Sequence, residues 1–115
     1  MSLLPGVMLR PEAIEDLRAN VTFLNKTSTQ GAARFLDSTQ KTLLQLVDAP
    51  FIGSPRDLTG IDQRLHSLRA WPVGDFKQYL IYYRAFASGN GIEVWGVVHS
   101  SRDIVSHLLD ALEEE

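Results

Sequence analysis

Cysteine is absent from the 115-residue chain. Its absence excludes a disulfide framework, a thiolate zinc site and a cysteine nucleophile, and it is compatible with a reducing compartment. No stretch approaches the roughly 18 consecutive apolar residues of a membrane span, and the first residues lack the basic start and apolar run of a signal peptide. We therefore expect a soluble, cytoplasmic protein without a membrane partner.

Positive charge is also scarce. The chain holds 11 Lys and Arg against 14 Asp and Glu, for a net charge of −3, so it lacks the basic excess with which most nucleic-acid binders contact phosphates. Six basic residues lie between residues 56 and 102, and after them come five acidic residues and no Lys or Arg. This distribution leaves two interpretations open, a surface for an acidic partner or an ordinary mixed surface.

The first half of the chain has the apolar spacing of helices. Apolar residues recur every three or four positions from Ile14 to Leu24, which predicts an amphipathic helix beginning at Pro11. The same spacing predicts a second helix from Gln30 to Val47. Residues 50–64 carry two prolines and two glycines and predict a loop.

After this loop the apolar spacing changes to two, which is typical of strands. Val97 and Val98 interrupt the alternation, as expected of a strand buried on both faces. Ser100 or Ser101, with Asp103 following, predicts the N-terminal cap of a last helix. The predicted strands, including a short one before the first helix, are residues 7–9, 65–71, 79–86 and 92–99.

These elements predict one α+β domain over residues 1–115, with the order β-α-α-β-β-β-α. The pair Asn90-Gly91 favours a tight turn, so the last two strands are expected to be antiparallel neighbours. We expect an antiparallel-rich sheet with the two-helix hairpin packed on one face and a short C-terminal helix.

The polar side chains do not form a recognisable catalytic motif. His99, Ser100 and Asp103 are expected to point apart, because adjacent strand residues face opposite sides of a sheet. His66, His99 and His107 lack the spacing of metal ligands, so the sequence predicts no metal site and no cofactor.

Basic and aromatic residues on or beside the predicted strands leave two interpretations open. They would either bind an RNA backbone and polarise a phosphate, or fill the sheet with tyrosines while arginines extend along its edges. Composition favours the second. The residues are Arg69, Lys77, Tyr79, Tyr82, Tyr83, Arg84 and Arg102.

A family pattern runs through six segments: residues 9–17 (LRPEAIEDL), 50–58, 68–73 (LRAWPV), 79–84 (YLIYYR), 92–94 (IEV) and 97–104 (VVHSSRDI). Together they resemble the toxins of the RelE/ParE superfamily of bacterial type II toxin-antitoxin systems, a group that includes plasmid stabilisation proteins. The resemblance implies the same element order, with a helical hairpin across a sheet of three to four strands.

The two main branches of this superfamily differ in activity. RelE-like members cleave messenger RNA on the ribosome, typically with an arginine just after the last strand and a tyrosine near the C-terminus. Here Ser100 takes the place of that arginine, and no tyrosine follows Tyr83. The His-x-x-Arg-Asp ending is more similar to ParE-like members, which inhibit DNA gyrase through protein contacts. The resemblance therefore favours a ParE-like toxin without catalytic residues, with a RelE-like mRNA endoribonuclease and an inactive family member as alternatives.

Either branch implies a cognate antitoxin, ParD-like or RelB-like, in a hetero-oligomer, and leaves a toxin homodimer open. Incompletely covered rings and arginines available to acidic side chains are candidate contacts with antitoxin or target, while core burial of both tryptophans is an equal alternative. We also expect Arg102 and Asp103 to hold the last helix against the sheet. The candidates are Arg56, Arg69, Trp71, Tyr79, Tyr83, Arg84, Trp95, His99 and Arg102.

Overall fold

The computed structural model describes residues 4–113. Its elements follow the predicted order, with a two-residue strand and a 3₁₀ turn added before the main strands. In chain order they are β1 (Val7–Leu9), α1 (Pro11–Asn25), α2 (Thr29–Asp48), β2 (Ser54–Pro55), the 3₁₀ turn (Gln63–Leu65), β3 (Arg69–Val73), β4 (Phe76–Ala85), β5 (Ile92–His99) and α3 (Ile104–Glu113). Among these described helices, none is long and apolar enough to cross a membrane.

The strands form one sheet in the order β1-β5-β4-β3-β2. β1 runs parallel to β5, and the other neighbours are antiparallel. The sheet thus has five strands rather than three to four, because β1 and the short β2 extend its two edges. Val97 of β5 is buried under one face and Val98 under the other, which confirms the predicted burial on both sides.

The α1–α2 hairpin covers one face of the sheet, as predicted. Phe35 of α2 is fully buried, and its ring centroid lies 5.4 Å from that of Phe76 and 4.9 Å from that of Tyr79, both in edge contacts. Leu46 packs in the same cluster. Ser28 begins α2, since its side chain accepts the Gly31 N–H at 2.9 Å. The sequence pattern and the capping residue therefore agree on this helix.

The opposite face is covered by α3 and by the segment around the 3₁₀ turn. Leu65 and Leu68 from that segment, and Leu108 and Leu112 from α3, pack against Trp95 of β5. The sheet therefore separates two apolar cores, a larger one under the hairpin and a smaller one under α3.

The predicted strand at residues 65–71 is wrong in its first part. β3 begins only at Arg69, and the 3₁₀ turn precedes it, starting after Asp62, whose side chain accepts a backbone N–H. Leu65 and Leu68 are three residues apart and both fill the core under α3, whereas strand residues at that spacing would face opposite sides of the sheet. The carbonyl oxygens of Leu65 and Leu68 accept backbone N–H groups, but Ser67, with a φ of 59°, interrupts the extended backbone before β3.

The turn between β3 and β4 is held by α2, which moves the start of β4. Ser38 Oγ accepts the Asp75 N–H at 3.1 Å, and Thr42 Oγ1 accepts the Gly74 N–H at 3.0 Å. With both turn N–H groups satisfied, β4 begins at Phe76, earlier than the predicted residue 79.

The predicted serine cap of the last helix is also wrong. α3 begins after Asp103, whose Oδ1 accepts the Ser106 N–H at 3.2 Å and whose Oδ2 accepts the Ser106 hydroxyl at 3.0 Å. The bond from the Ser106 N–H lowers the pKa of Asp103 below its ordinary value. Ser100 and Ser101 lie in the preceding turn, where the Ser101 N–H and hydroxyl bind His99. Ser101 is therefore engaged by the end of β5.

Candidate functional site

Tyr83 and Arg69 fix the loop between α2 and β2. The Tyr83 hydroxyl donates to the Pro50 carbonyl at 2.7 Å and accepts the Gly53 N–H at 3.0 Å. Arg69 Nη1 donates to the carbonyl oxygens of Phe51 at 3.2 Å and Gly53 at 2.8 Å. Burial raises the pKa of Tyr83, so its hydroxyl keeps its proton at neutral pH. Two of the predicted contact residues thus serve this loop.

Arg56 follows β2 at the same end of the sheet and is exposed. Its Nη1 donates to the Pro55 carbonyl at 3.0 Å. In the part of the chain that the structure describes, neither Arg56 nor Arg69 forms an ion pair with a carboxylate. Trp71 of β3 is half-buried against the core under the hairpin. This end of the sheet therefore presents positive charge without an acidic partner among residues 4–113.

Trp95 lies buried between two arginines on the α3 side of the sheet. The guanidinium carbon of Arg10 lies 3.9 Å from the Trp95 ring centroid, and that of Arg84 lies 5.0 Å away. Glu93 Oε1 accepts from Trp95 Nε1 at 2.7 Å and from Arg84 Nε at 3.1 Å. Arg84 Nη1 also donates to two backbone carbonyls before β3, each at 3.0 Å. Core burial, the alternative left open for Trp95, is what the structure shows, and Arg84 helps to build that site.

Tyr79 and His99 are paired residues of β4 and β5, and their ring centroids lie 5.3 Å apart. Tyr79 is buried, whereas His99 is exposed and its Nδ1 accepts the Ser101 N–H at 3.1 Å. A shallow pocket of about 360 Å³ opens beside them, against Phe23 of α1. Of the two predicted contact residues, His99 is therefore the accessible one.

Arg102 begins a chain of contacts that links the start of α3 to α1. Its Nη2 donates to His107 Nδ1 at 3.0 Å, and His107 Nε2 donates to Asp16 Oδ1 at 2.8 Å. Asp16 is buried, and its Oδ2 accepts the Val97 N–H at 3.1 Å. Arg102 thus reaches the sheet through His107 and Asp16, and Asp103 acts separately as the helix cap.

Sequence reasoning missed Asp16 and Asn20, which close the edge of β5 beyond the end of β1. Asn20 Nδ2 donates to the Val97 carbonyl at 2.8 Å, so α1 supplies both backbone bonds that another strand would make at Val97. Gly96 permits this approach, because a Cβ there would lie 3.1 Å from Asp16 Oδ2. The available signal was a pair of polar residues one turn apart on the sheet-facing side of α1.

His99, His107, Asp16, Glu93 and Asp103 are engaged in the structural contacts described above. Within residues 4–113, no group of three or more His, Asp or Glu side chains is arranged to hold a metal ion. No hydrogen bond joins His99 to Asp103 in the described chain, since each binds a serine of its own turn. We assign no catalytic group among the described residues.

A sequence model of the ParE toxin of the type II toxin-antitoxin system, parDE, matches residues 7–104. The chain belongs to the ParE toxin family. The match runs from β1 to the first residue of α3 and includes all five strands. As a ParE-family toxin, the protein is a component of a type II system, and the family implies a cognate antitoxin. Among curated proteins, no sequence matches this ParE-family chain.

Proposed function

We propose that the protein inhibits DNA gyrase through protein contacts and is neutralised by its cognate antitoxin. The match to the ParE family over residues 7–104 carries this proposal. Charge, the residue that follows β5 and the engagement of the arginines each support binding in preference to RNA cleavage.

Charge disfavours a ribosome-dependent nuclease. RNA carries one phosphate per nucleotide, and proteins that hold it rely on Lys and Arg, whereas this chain has a net charge of −3. Cleavage also needs cations or proton donors placed against the phosphate that reacts. A gyrase surface that is recognised by shape and local charge makes no such demand.

The end of β5 lacks the arginine that RelE-like toxins typically have directly after their last strand. Ser100 stands directly after the strand, and its N–H donates to the Gln78 carbonyl at 2.7 Å. Its hydroxyl carries no positive charge, so it does not replace a guanidinium in neutralising a phosphate. Tyr83, the last tyrosine of the sequence, is fully buried under the hairpin.

The accessible candidates lie at the two ends of the strands. Arg56 is exposed at one end, and His99 and Arg102 are exposed at the other, while Arg69 and Trp71 are partly covered. We infer that these five residues supply contacts to antitoxin or gyrase. Four further candidates have a supporting role, because they fix the backbone and rings on which those contacts depend. They are Tyr79, Tyr83, Arg84 and Trp95.

Two parallel assays on one preparation test the proposal. Purified toxin is titrated into a supercoiling reaction of DNA gyrase with relaxed plasmid, and into a translation reaction whose messages are mapped for cleavage. We expect loss of supercoiling without message cleavage, and restored supercoiling when the antitoxin is added. Arg102→Ala is expected to weaken inhibition, with Lys26→Ala as a surface control.

Cleavage of translated messages with normal supercoiling would support the RelE-like alternative and overturn gyrase inhibition. Normal supercoiling together with uncleaved messages would indicate an inactive family member. If the protein in that case is folded and still binds the antitoxin, its lack of toxicity is not caused by a loss of structure.

A further inference from the structure

Phe51 is a large apolar side chain that the fold leaves in solvent. Its residue is 68% exposed, in the loop 50–53 between α2 and β2, which we call the Phe51 loop. Phe23 of α1 is similarly exposed, at 64%. Single exposed apolar residues are common on protein surfaces, so exposure alone assigns no role to either ring.

The backbone around Phe51 is fixed to an unusual degree for an exposed loop. Tyr83 and Arg69 make four hydrogen bonds to its backbone, to Pro50, Phe51 and twice to Gly53. A Cβ at Gly53 would lie 2.5 Å from the Tyr83 hydroxyl oxygen, so the close approach requires glycine. A ring held on a rigid loop loses little conformational entropy when it binds, which is the property of an interface anchor.

A groove of about 450 Å³ adjoins the Phe51 loop. Pro55, Leu68 and Phe86 give it apolar walls, and Ser67 lies at its border. Ser67 has a φ of 59°, and no other non-glycine residue of the described chain has a positive φ. Residues held in this region of backbone conformation often occur at binding sites. The loop and groove together offer both an anchor and a surface that receives the partner's side chains.

Two arginines at this surface, Arg56 and Arg69, form no ion pair with a carboxylate among residues 4–113. Arg69 borders the groove, with its guanidinium carbon 5.2 Å from the Phe51 ring centroid, and Arg56 follows β2. In residues 4–113, Arg64 pairs with Asp62 and Arg84 with Glu93, but Arg56 and Arg69 have no carboxylate partner. Asp57 also borders the groove, and its Oδ1 accepts from Thr59. An acidic side chain from outside the chain would complement both arginines.

We propose that the Phe51 loop and its groove bind an acidic, amphipathic segment of the cognate antitoxin. This inference rests on the proposed function, since it names the surface through which the antitoxin acts. The Phe51 ring enters an apolar pocket of that segment, while its carboxylates contact Arg56 and Arg69.

Matched phenylalanine variants test the surface. Phe51→Ser and Phe23→Ser remove equally exposed rings from two regions, and thermal unfolding checks that both remain folded. The probe is the full-length protein encoded by the short reading frame beside the toxin gene. By titration calorimetry, we expect Phe51→Ser to weaken binding by at least about 30-fold, the size of an anchor residue, with Phe23→Ser within about threefold of wild type.

Charge reversal tests the acidic partner. Arg56→Glu is expected to slow association, because repulsion replaces attraction at the rim, and to reduce the salt dependence of the rate. Arg34→Glu, on the exposed side of α2, is the matched control and is expected to leave the rate near that of wild type.

Equal affinity of wild type and Phe51→Ser would overturn the inference and leave the proposed function intact. If Phe51→Ser loses gyrase inhibition but keeps antitoxin affinity, the surface serves the target instead. If it only converts a toxin dimer to a monomer, the surface serves a second copy of the chain. If wild type does not bind the adjacent gene product at all, the inference and the antitoxin part of the proposed function both fail.

Discussion

The two faces of the sheet are built from neighbouring residues of the same strands, yet their chemistry differs. Under the hairpin, Ile81 and Tyr83 pack with Phe35 in an apolar layer. Under α3, Tyr82 and Trp95 share their side with a cluster of paired ions, namely Arg10, Arg84 and Glu93. Two helices of 15 and 20 residues cover the first face, whereas α3 has only 10. The aliphatic parts of the arginine side chains cover apolar surface that the short α3 leaves open, and their guanidinium groups pair with carboxylates at its border.

Because of this difference, we expect the residues that stabilise the fold and the residues that contact partners to lie in different regions. The hairpin face buries Phe35 and Tyr83 completely, and only part of Trp71 and Phe76 reaches the surface there. The charges on the α3 side are mostly paired with one another, and Arg84 and Glu93 illustrate this. The partner contacts that we propose lie at the strand ends, where Arg56 and Arg102 are exposed.

The largest expected effect is the loss of Phe35 from the hairpin face. Phe35→Ala removes a fully buried ring that contacts Phe76 and Tyr79, and leaves a cavity between helix and sheet. We expect the free energy of unfolding to fall by about 3–5 kcal/mol. Urea denaturation measures it, with Phe23→Ala as the exposed control, expected within about 0.5 kcal/mol of wild type. A similar loss in both variants would remove the distinction between core and surface phenylalanines.

Two leucines compare the faces directly. Leu46 of α2 and Leu108 of α3 are both fully buried, on opposite sides of the sheet. Each change to alanine is expected to cost about 2–5 kcal/mol, with Leu108→Ala the smaller because the short α3 is better able to shift into the cavity. The same denaturation experiment orders them. A larger loss for Leu108→Ala would show that α3 is packed as rigidly as the hairpin.

Adjacent tyrosines give a finer comparison. Tyr83 on the hairpin face makes two hydrogen bonds through its hydroxyl, whereas the Tyr82 hydroxyl makes none with the described residues. Tyr83→Phe strands the Gly53 N–H and the Pro50 carbonyl, and we expect it to cost about 1–3 kcal/mol. Tyr82→Phe is expected within about 0.5 kcal/mol of wild type. Equal effects would mean that the Tyr83 bonds contribute nothing measurable.

Alkaline pH extends this comparison. Burial raises the pKa of both Tyr82 and Tyr83 above the ordinary value of 10.0. The folded state therefore favours the neutral phenol, and the associated stability is present below pH 10.0 and lost as the pH rises through the folded-state values. Each Phe variant should show a shallower alkaline loss than wild type in denaturation midpoints measured across this range. Unchanged profiles in both variants would exclude tyrosine ionisation as the cause.

The smallest expected effect concerns the start of α3. Asp103→Ala removes the cap and should lower the thermal midpoint by a few degrees, whereas Ser100→Ala should leave it unchanged. The lowered pKa of Asp103 means that the cap's contribution is present above the ordinary value of 3.8 and is lost as the pH falls through the folded-state value. Thermal melts of wild type and of both variants across acidic pH measure this contribution. A lowered thermal midpoint for Ser100→Ala would support a serine cap instead.

The sequence predicted the elements whose pattern is local. The helix beginning at Pro11 and the strand at residues 92–99 have the bounds that spacing and turn residues indicated. The strand predicted at residues 65–71 was wrong in its first part, because the apolar residues Leu65 and Leu68 record burial and Ser67 interrupts the extended backbone. For the candidate site, the sequence supplied Arg56, Arg69 and Arg102, but it placed Trp71 and Trp95 at a contact surface and in the core with equal weight. Their burial depends on which elements cover them.

By itself, the sequence determined the element order, the buried central strand and the resemblance to ParE toxins, because periodicity and motif residues are written along the chain. The tertiary structure alone decided that Tyr83 and Arg69 fix the loop carrying Phe51, and that Asp16 of α1 reaches both Val97 and His107. These partners are separated by many residues along the chain. Side-chain hydrogen bonds over such separations depend on how helices and strands pack, and no local pattern encodes that packing.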